Sequence, residues 1–200
     1  MKEFNIVIAG VGGQGILTLK RIIATSAFLE GYEVKTSEIH GLSQRGGAVV
    51  SHVRFGEEIY SPMVLEGEAN LIIGLEPLEA LRACYYASKE IGTIFVVDTR
   101  KIQPVSVLVE GKVYPSLDEI KQKLSEFSSK VYLVDASSEC VKKFGTILPA
   151  NIYLFGFCIG AKILPLKKEN ALRAIESCIK PALVELNKKV FENGFAKGFE

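Results

Sequence analysis

The sequence predicts an α/β fold of three α/β/α layers, Rossmann-like, with a mixed and mainly parallel sheet. First, a β-branched apolar strand over residues 4–9 runs into "GVGGQG", after which the apolar period changes from strand to helix. Second, the buried-type strands "NLIIGLE" and "TIFVVDT" are separated by a helical segment, as in a parallel sheet. Third, no repeat, low-complexity stretch or linker divides the chain, so we expect one domain over residues 1–200.

The first half of the chain predicts one helix between three strands. After the glycines, apolar residues recur three and four apart and predict a helical stripe that faces the sheet: Ile16, Leu19, Ile23 and Ala27. Gly31 ends that helix, and "YEVKTSE" and "AVVSHVRF" are the second and third strands. In the third strand, alternation places Val49, Ser51, Val53 and Phe55 on one face. The opposite face, with Val50, His52 and Arg54, is more polar.

The second half predicts further helices and a hairpin. We expect a helix from Pro77 to about Lys89, and an antiparallel hairpin in "PVSVLVEGKVYPS" with Glu110-Gly111 as its turn. A charged helix over residues 117–127, the strand "KVYLVDA" and three helical segments follow. Gly156 and Gly160 lie four residues apart in an apolar segment, which predicts close approach of a neighbouring backbone.

Composition excludes several classes of function. The formal charge is +1, from 24 basic and 23 acidic residues, so we expect no nucleic-acid partner. The longest apolar run is shorter than the roughly 20 residues of a membrane span. The N-terminus shows no cleavable signal, which favours the cytoplasm and free thiols. Metal and cluster sites are not expected, because only two histidines accompany four scattered cysteines: Cys84, Cys140, Cys158 and Cys178.

The glycine loop is the first candidate site. Gly10, Gly12 and Gly15 fit G-x-G-x-x-G between a strand and a helix, the context in which this motif is informative. Such a loop lets backbone N–H groups and the positive end of the helix approach an anion. We therefore include Gly13 and Gln14 among the candidate ligand contacts. The alternative is that the glycines only allow the helix to pack tightly on the strand.

A nicotinamide dinucleotide would require an acidic residue at the end of the second strand. Glu38 lies about there, whereas Glu30 has the usual sequence offset, and they cannot both fill that role. A polar, glycine-rich loop then follows in place of another βα unit. Both observations weaken the dinucleotide hypothesis.

The second candidate site is "HGLSQRGG", which we call the arginine loop (residues 40–47). Arg45 presents a planar fork to a carboxylate or phosphate, and Gly46-Gly47 remove side chains that would block close approach. The loop leaves the second strand at the carboxyl edge, where open α/β sheets bind ligands. A solvated surface loop is the alternative. The candidates, none with a covalent role, are Glu38, His40, Gly41, Ser43, Gln44, Arg45, Gly46, Gly47 and, on the polar face of the third strand, Arg54.

These segments resemble a known family. The stretch from "GVGGQGILTLKRI" to "AVVSHVRFG" is similar to the start of the gamma-type domain of 2-oxoacid:ferredoxin oxidoreductases. Within that family, "SEIHGLSQRGG" most resembles the small subunits of the branch that takes arylpyruvates such as indolepyruvate, and "PANIYLFGFCIGA" resembles an Asn-led helix of the family. Gamma subunits for pyruvate, 2-oxoglutarate or branched-chain oxoacids stay open as alternatives.

The resemblance implies a role within a larger enzyme. Family members oxidatively decarboxylate 2-oxoacids with thiamine diphosphate, pass electrons through iron–sulfur clusters to ferredoxin and deliver the acyl group to coenzyme A. In the arylpyruvate branch, thiamine diphosphate and the [4Fe-4S] clusters belong to a large alpha subunit. The resemblance thus implies a chain that binds no cofactor alone, is inactive in isolation, and meets coenzyme A as a co-substrate and ferredoxin through the complex.

Within that role, Arg45 is the candidate contact to a substrate carboxylate or a coenzyme A phosphate, supported by backbone donors of the glycine loop. Glu38, His40, Ser43 and Gln44 would lie beside that contact or at a subunit interface. Two other hypotheses remain: a free-standing nucleotide-binding Rossmann-like protein, and a non-catalytic module whose polar loop only docks a partner. Self-association of the isolated chain into a homodimer also stays open.

Overall fold

A computed structural model describes residues 1–41, 46–103, 113–128 and 130–199. These residues form a sheet of six strands in the order β2-β3-β1-β4-β5-β6. Its strands are β1 Glu3–Val11, β2 Glu33–His40, β3 Ala48–Gly56, β4 Leu71–Gly74, β5 Ile94–Asp98 and β6 Lys130–Val134. Only β3 runs against its neighbours β1 and β2, while β1, β4, β5 and β6 pair in parallel. The predicted mixed, mainly parallel sheet is confirmed.

Helices cover both faces of this sheet. They are α1 Ile16–Leu29, α2 Pro77–Arg82, α3 Leu117–Leu124, α4 Ala136–Phe144, α5 Ala150–Gly160, α6 Lys168–Cys178 and α7 Pro181–Lys197. One apolar cluster joins one face of the sheet to α1, α4, α5, α6 and α7, and a second joins the other face to α2 and α3. The three-layer prediction is therefore confirmed. Among the described residues, no helix is both long and apolar enough to cross a membrane.

The antiparallel strand arises from a short connection. Only residues 41–47 link β2 to β3, whereas a parallel pairing would need a crossover of about a dozen residues or more. Strand β3 therefore folds back beside β2 and also pairs with β1, which it separates from β2. The predicted hairpin around Glu110-Gly111 lies outside the described residues, so the mixed character seen here comes from β3.

The predicted core stripe of α1 is confirmed. Ile16 is 3% exposed, and Leu19, Ile23 and Ala27 are fully buried. They share a cluster with the residues of β3 that point the same way, Val49, Val53 and Phe55. The helix ends as predicted, because Gly31 has a φ of 87°, which few other residues adopt.

Three helix predictions need correction. Helix α2 ends at Arg82 and continues only as a 3-10 turn to Tyr86, short of Lys89, because Gly67 and Ala69 donate to the carbonyls of Tyr85 and Tyr86. Helix α3 ends at Leu124 instead of residue 127, and the hydroxyl of Ser125 caps a carbonyl of its last turn. Between residues 130 and 199 there are four helices instead of three, since Gly145, at φ 71°, separates α4 from α5.

Glycines bring α5 and α7 into backbone contact, as Gly156 and Gly160 predict. A Cβ at Gly156 would overlap the carbonyl oxygen of Phe191, and one at Gly160 would overlap that of Phe195. From the other side, Gly194 lies equally close to the carbonyl of Tyr153. Backbone faces backbone, so no side chain can yield to an added methyl group.

We expect Gly156→Ala to lower the free energy of unfolding by about 1–3 kcal/mol, because the two helices must separate to admit the methyl group. Urea unfolding followed by circular dichroism measures this. Ala182→Ser also adds one heavy atom to α7, but at an exposed position, and should change stability by less than about 0.5 kcal/mol. Equal midpoints for the two variants would contradict the close packing.

A segment over residues 57–70, which we call the strap, crosses the sheet near its amino edge. Arg54 donates to the carbonyls of Ser61 and Met63, at 3.0 and 3.2 Å. The Nδ1 of His52 accepts from the N–H of Val64 at 3.2 Å, while its Nε2 is buried with no partner among the described residues. Burial lowers the pKa of His52 to about 4. His52 therefore accepts a hydrogen bond from the strap only while its imidazole is neutral, because a protonated Nδ1 could not accept.

Because of this histidine, the free energy of unfolding should decrease as the pH is lowered. Unfolded histidine has a pKa near 6.5, so between about pH 6.5 and 4 the unfolded state binds the extra proton and is favoured. That linkage amounts to about 3 kcal/mol, present above pH 6.5 and lost towards pH 4. Comparing urea unfolding of wild type and His52→Gln from pH 7 to 4 isolates it, and parallel curves would refute it.

Candidate functional site

The glycine loop lies at the carboxyl end of β1 and is held by Gln14. Its Oε1 accepts from the N–H of Val11 at 2.7 Å, and its Nε2 donates to the carbonyl of Leu75 at 2.6 Å. Gly10 is part of β1, and a Cβ there would lie 2.8 Å from this Oε1. Gly10 and Gln14 thus shape the loop, and the Gln14 amide is already engaged inside the protein.

Gly15 forms the junction between the glycine loop and α1. Its φ of 77° is left-handed, and it supplies no capping side chain to the helix. The first N–H groups of a helix have no partner within it and lie at the positive end of its dipole, and the N-cap of α1 makes no side-chain hydrogen bond to them. Behind the loop, Asn151 donates from Nδ2 to the carbonyl of Gly15 at 3.0 Å.

The arginine loop pairs with the glycine loop through the backbone. The N–H of Gly12 donates to the carbonyl of Gly47 at 2.8 Å, and that of Gly46 donates to the carbonyl of Gly12 at 3.3 Å. Ser43, Gln44 and Arg45 lie outside the described residues, but Arg45 directly precedes Gly46 in the chain. The two segments that the sequence singled out separately are therefore neighbours.

A first cleft opens between the start of α1 and the ends of β2 and β3, with a volume of about 440 Å³. It is lined by Gly12, Gly13, Gly15, Ile16, Leu17, Glu38, His40 and Val49. His40 is exposed, and its Nδ1 donates to the carbonyl of Gly41 at 3.2 Å, which leaves Nε2 for other contacts. The cleft thus combines backbone donors, an imidazole, a carboxylate and an apolar wall.

Glu38 is in this cleft but one strand too far from the glycine loop for the dinucleotide arrangement. Because β3 lies between β1 and β2, the ends of β1 and β2 are about 10 Å apart, two strand spacings. Lys20 also binds Glu38, with 2.7 Å between Nζ and Oε2, and this hydrogen bond lowers the pKa of the carboxyl. A carboxylate that is displaced and already paired does not suit a ribose.

A second cleft, of about 260 Å³, lies on the other side of the glycine loop, above β4 and β5. Here Asp98 accepts from both the N–H and the hydroxyl of Ser137, the former at 3.2 Å. Burial raises the pKa of the Asp98 carboxyl, and the Ser137 hydrogen bonds act against it. Asp98 and Ser137 thus bind each other in this cleft, which Gln14 of the glycine loop also lines.

Arg54 is not brought to either cleft. Its guanidinium donates to Asn5 and Glu3, both at 2.9 Å, in addition to the strap carbonyls. Asn5 faces Arg54 across the sheet and Gly10 faces Val49, so about 17 Å of strand separates Arg54 from the glycine loop. Arg54 therefore does not share a site with the glycine loop; its contacts tie the strap to β1.

The cysteines do not fit an iron–sulfur cluster. Each lies on a different element of the described chain, and three of them are buried. Burial raises the pKa of Cys84 and of Cys140 to about 12, which opposes the thiolate form that a cluster requires. Within the part of the chain that the structure describes, no group of three or more His, Cys, Asp or Glu side chains converges as a metal site would need.

Solved structures define the class of this fold. The gamma subunit of keto/oxoacid ferredoxin oxidoreductase from Geobacter sulfurreducens PCA superposes with a TM-score of 0.68, at 24% identity over 98% of each chain. A chain of 2-oxoglutarate:ferredoxin oxidoreductase from Magnetococcus marinus gives 0.74 at 18% identity, covering 99% of this chain but 31% of that one. The fold is thus that of gamma subunits of oxoacid:ferredoxin oxidoreductases, as a separate chain or as part of a longer one.

The sequence comparisons specify the family. The model for pyruvate ferredoxin/flavodoxin oxidoreductase matches residues 5–197, and the chain belongs to this family. It is 40% identical to indolepyruvate oxidoreductase subunit IorB of Pyrococcus horikoshii over 97% of this chain and 95% of that protein. The same subunit of Archaeoglobus fulgidus is 41% identical over 96% and 94%. The common gamma subunit of pyruvate/ketoisovalerate oxidoreductases from Thermococcus kodakarensis is only 28% identical. The predicted resemblance is confirmed.

We expect the isolated chain to show no micromolar affinity for NAD, NADP or adenine nucleotides. The N–H of Gly12 is already bonded to Gly47, and Glu38 lies one strand away from the position that a ribose requires. Isothermal titration of the folded chain tests this, with an NAD-dependent dehydrogenase as the positive control. Micromolar binding of any of the three would restore the free-standing nucleotide-binding hypothesis.

Proposed function

We propose that this chain is the small, gamma-type subunit of an indolepyruvate ferredoxin oxidoreductase. The complex oxidatively decarboxylates an arylpyruvate and transfers the acyl group to the thiol of coenzyme A; the products are the acyl-CoA, carbon dioxide and a proton, and two electrons pass to ferredoxin. The identity of about 40% with two archaeal indolepyruvate oxidoreductase subunits, over nearly the whole of each chain, supports this assignment. It exceeds the identity to a pyruvate/ketoisovalerate subunit, which favours the arylpyruvate branch.

The partner in this proposal is a large alpha subunit that carries thiamine diphosphate and the [4Fe-4S] clusters. The scattered cysteines of this chain, three of which are buried, are in keeping with that division of labour. Thiamine diphosphate supplies the electron sink for decarboxylation. This chain contributes binding, orientation and exclusion of water, and it meets ferredoxin only through the assembled cytoplasmic complex.

The first cleft is the proposed contribution of this chain to the site. The observation that supports this proposal is the backbone pairing of Gly12 with Gly46 and Gly47, which holds the arginine loop beside the start of α1. In our proposal, Arg45 binds a carboxylate or phosphate bidentately, and the N–H groups at Gly13, Gly15 and α1 solvate the same negative charge. Coenzyme A is the ligand that brings phosphates, and the oxoacid brings a carboxylate.

The remaining candidates have supporting places in this proposal. Glu38 and His40 line the first cleft, where they accept or donate hydrogen bonds to a bound ligand or to the partner. Gly41, Ser43 and Gln44 belong to the arginine loop and would meet the partner subunit with it. Gly10 and Gln14 keep the glycine loop in shape.

Reconstitution tests the assignment. The chain alone should be inactive, and co-expression with its cognate large subunit should give methyl viologen reduction that depends on both indolepyruvate and coenzyme A. Pyruvate and 2-oxoglutarate are the comparison substrates. Activity of the large subunit that is undiminished without this chain would overturn the proposal, and preference for pyruvate would move it to another branch.

In the reconstituted enzyme, Arg45→Ala should raise the KM for coenzyme A or indolepyruvate, or lower kcat, by about tenfold or more, as loss of a charged hydrogen bond implies. Arg45→Lys keeps the charge without the fork and should recover only part of the loss. Arg21→Ala removes an exposed arginine elsewhere on α1 and should change nothing. Complex formation lost without a kinetic effect would identify a docking loop instead.

A further inference from the structure

The contact between Asn151 and Gly15 has consequences beyond packing. Asn151 is 5% exposed and lies at the start of α5, 136 residues after the glycine that it binds. Its Oδ1 accepts from the N–H of Ile152 at 2.9 Å, which fixes the amide so that Nδ2 faces the Gly15 carbonyl. A Cβ at position 15 would lie 2.6 Å from this Nδ2, so the amide fills the space that only glycine leaves.

Asn151 approaches the loop from the side away from the first cleft. It lines the second cleft, with Gln14 and Asp98, and is absent from the lining of the first. Gly15 lines the first cleft and is also the residue whose left-handed φ begins α1. The Asn151 side chain therefore acts on the ligand-facing surface of the loop without reaching a ligand there.

We propose that Asn151 is a positioning residue: by holding the Gly15 carbonyl, it directs the first N–H groups of α1 into the first cleft. Three tethers then fix the loop: Gly46-Gly47 bind Gly12, Gln14 binds Leu75, and Asn151 binds Gly15. Of these, only the Asn151 tether acts at the residue that begins the helix. This inference rests on the proposed function, in which those N–H groups meet an anion.

Asn151→Asp tests the role with little change of shape. The carboxylate still accepts from Ile152, and an acidic side chain at a helix start is favourable, but it cannot donate to Gly15. In the complex with the large subunit, we expect the KM for the anionic ligand of the first cleft, coenzyme A or indolepyruvate, to rise about tenfold, as for one lost hydrogen bond. We expect kcat at saturation to change by less than about twofold, since the reacting groups lie elsewhere.

Thermal unfolding of the same variants separates positioning from stability. Asn151→Asp sets a carboxylate oxygen against the Gly15 carbonyl in a largely buried position, so it should also lower the Tm. The matched control is Asn187→Asp, because Asn187 also donates from Nδ2 to a helical carbonyl, that of Leu183 at 2.8 Å, but on α7. Asn187 is buried to a similar extent, so its substitution should lower the Tm comparably but leave the KM for coenzyme A and for indolepyruvate unchanged.

The outcomes distinguish this inference from the function on which it rests. An unchanged KM for Asn151→Asp, with Arg45→Ala still impaired, overturns the positioning role alone. A defect confined to kcat overturns it too. If neither variant alters the KM or kcat, the first cleft is not the ligand site. Should Asn151→Asp fail to assemble, Asn151→Ala removes the donor without adding charge, and the same expectations apply.

Discussion

The fold of this chain depends on a short connection. Because residues 41–47 leave no room for a crossover helix, β3 must run back along β2, and it comes to lie against β1. That single reversal places the turn between β2 and β3 beside the turn after β1, where Gly12 pairs with Gly46 and Gly47. It also moves β2, with Glu38, one strand outward. The same constraint thus removes the usual dinucleotide geometry and creates the paired loops that replace it.

The two sides of the glycine loop have different physical characters. On the side of β4 and β5, the buried Ser137 donates to Asp98, and the half-buried Gln14 donates to the carbonyl of Leu75. On the side of β2 and β3, an uncapped helix start faces an open cleft. Under the proposed function, the side of β2 and β3 is therefore the one that meets a ligand.

Most of the fold could be predicted from the spacing of apolar residues and glycines, because this spacing reflects the periods of the helix and the strand. The stripe of α1, the alternation in β3 and the close approach at Gly156 all follow from spacing alone. Partners distant in the sequence could not be predicted in this way. Hydrogen bonds from the strap end the α2 helix early. Arg54 was predicted on the polar face of β3, but its guanidinium makes four hydrogen bonds, to Glu3, Asn5, Ser61 and Met63. The candidate loops were apparent as motifs, but their mutual pairing and the Asn151 contact depend on topology. The resemblance of "PANIYLFGFCIGA" to a family helix predicted the helix, but it did not predict that Asn151 binds Gly15.

Helix α5 forms a rigid link across the molecule. Near its start, the side chain of Asn151 donates a hydrogen bond to the glycine loop. Further along, Gly156 and Gly160 pack directly against the main chain of α7. Its 11 residues span about 16 Å. Because main-chain contacts cannot relax by a change of side-chain rotamer, we expect a displacement of α7 to move α5 with it, and so to alter the hydrogen bond that Asn151 makes to Gly15.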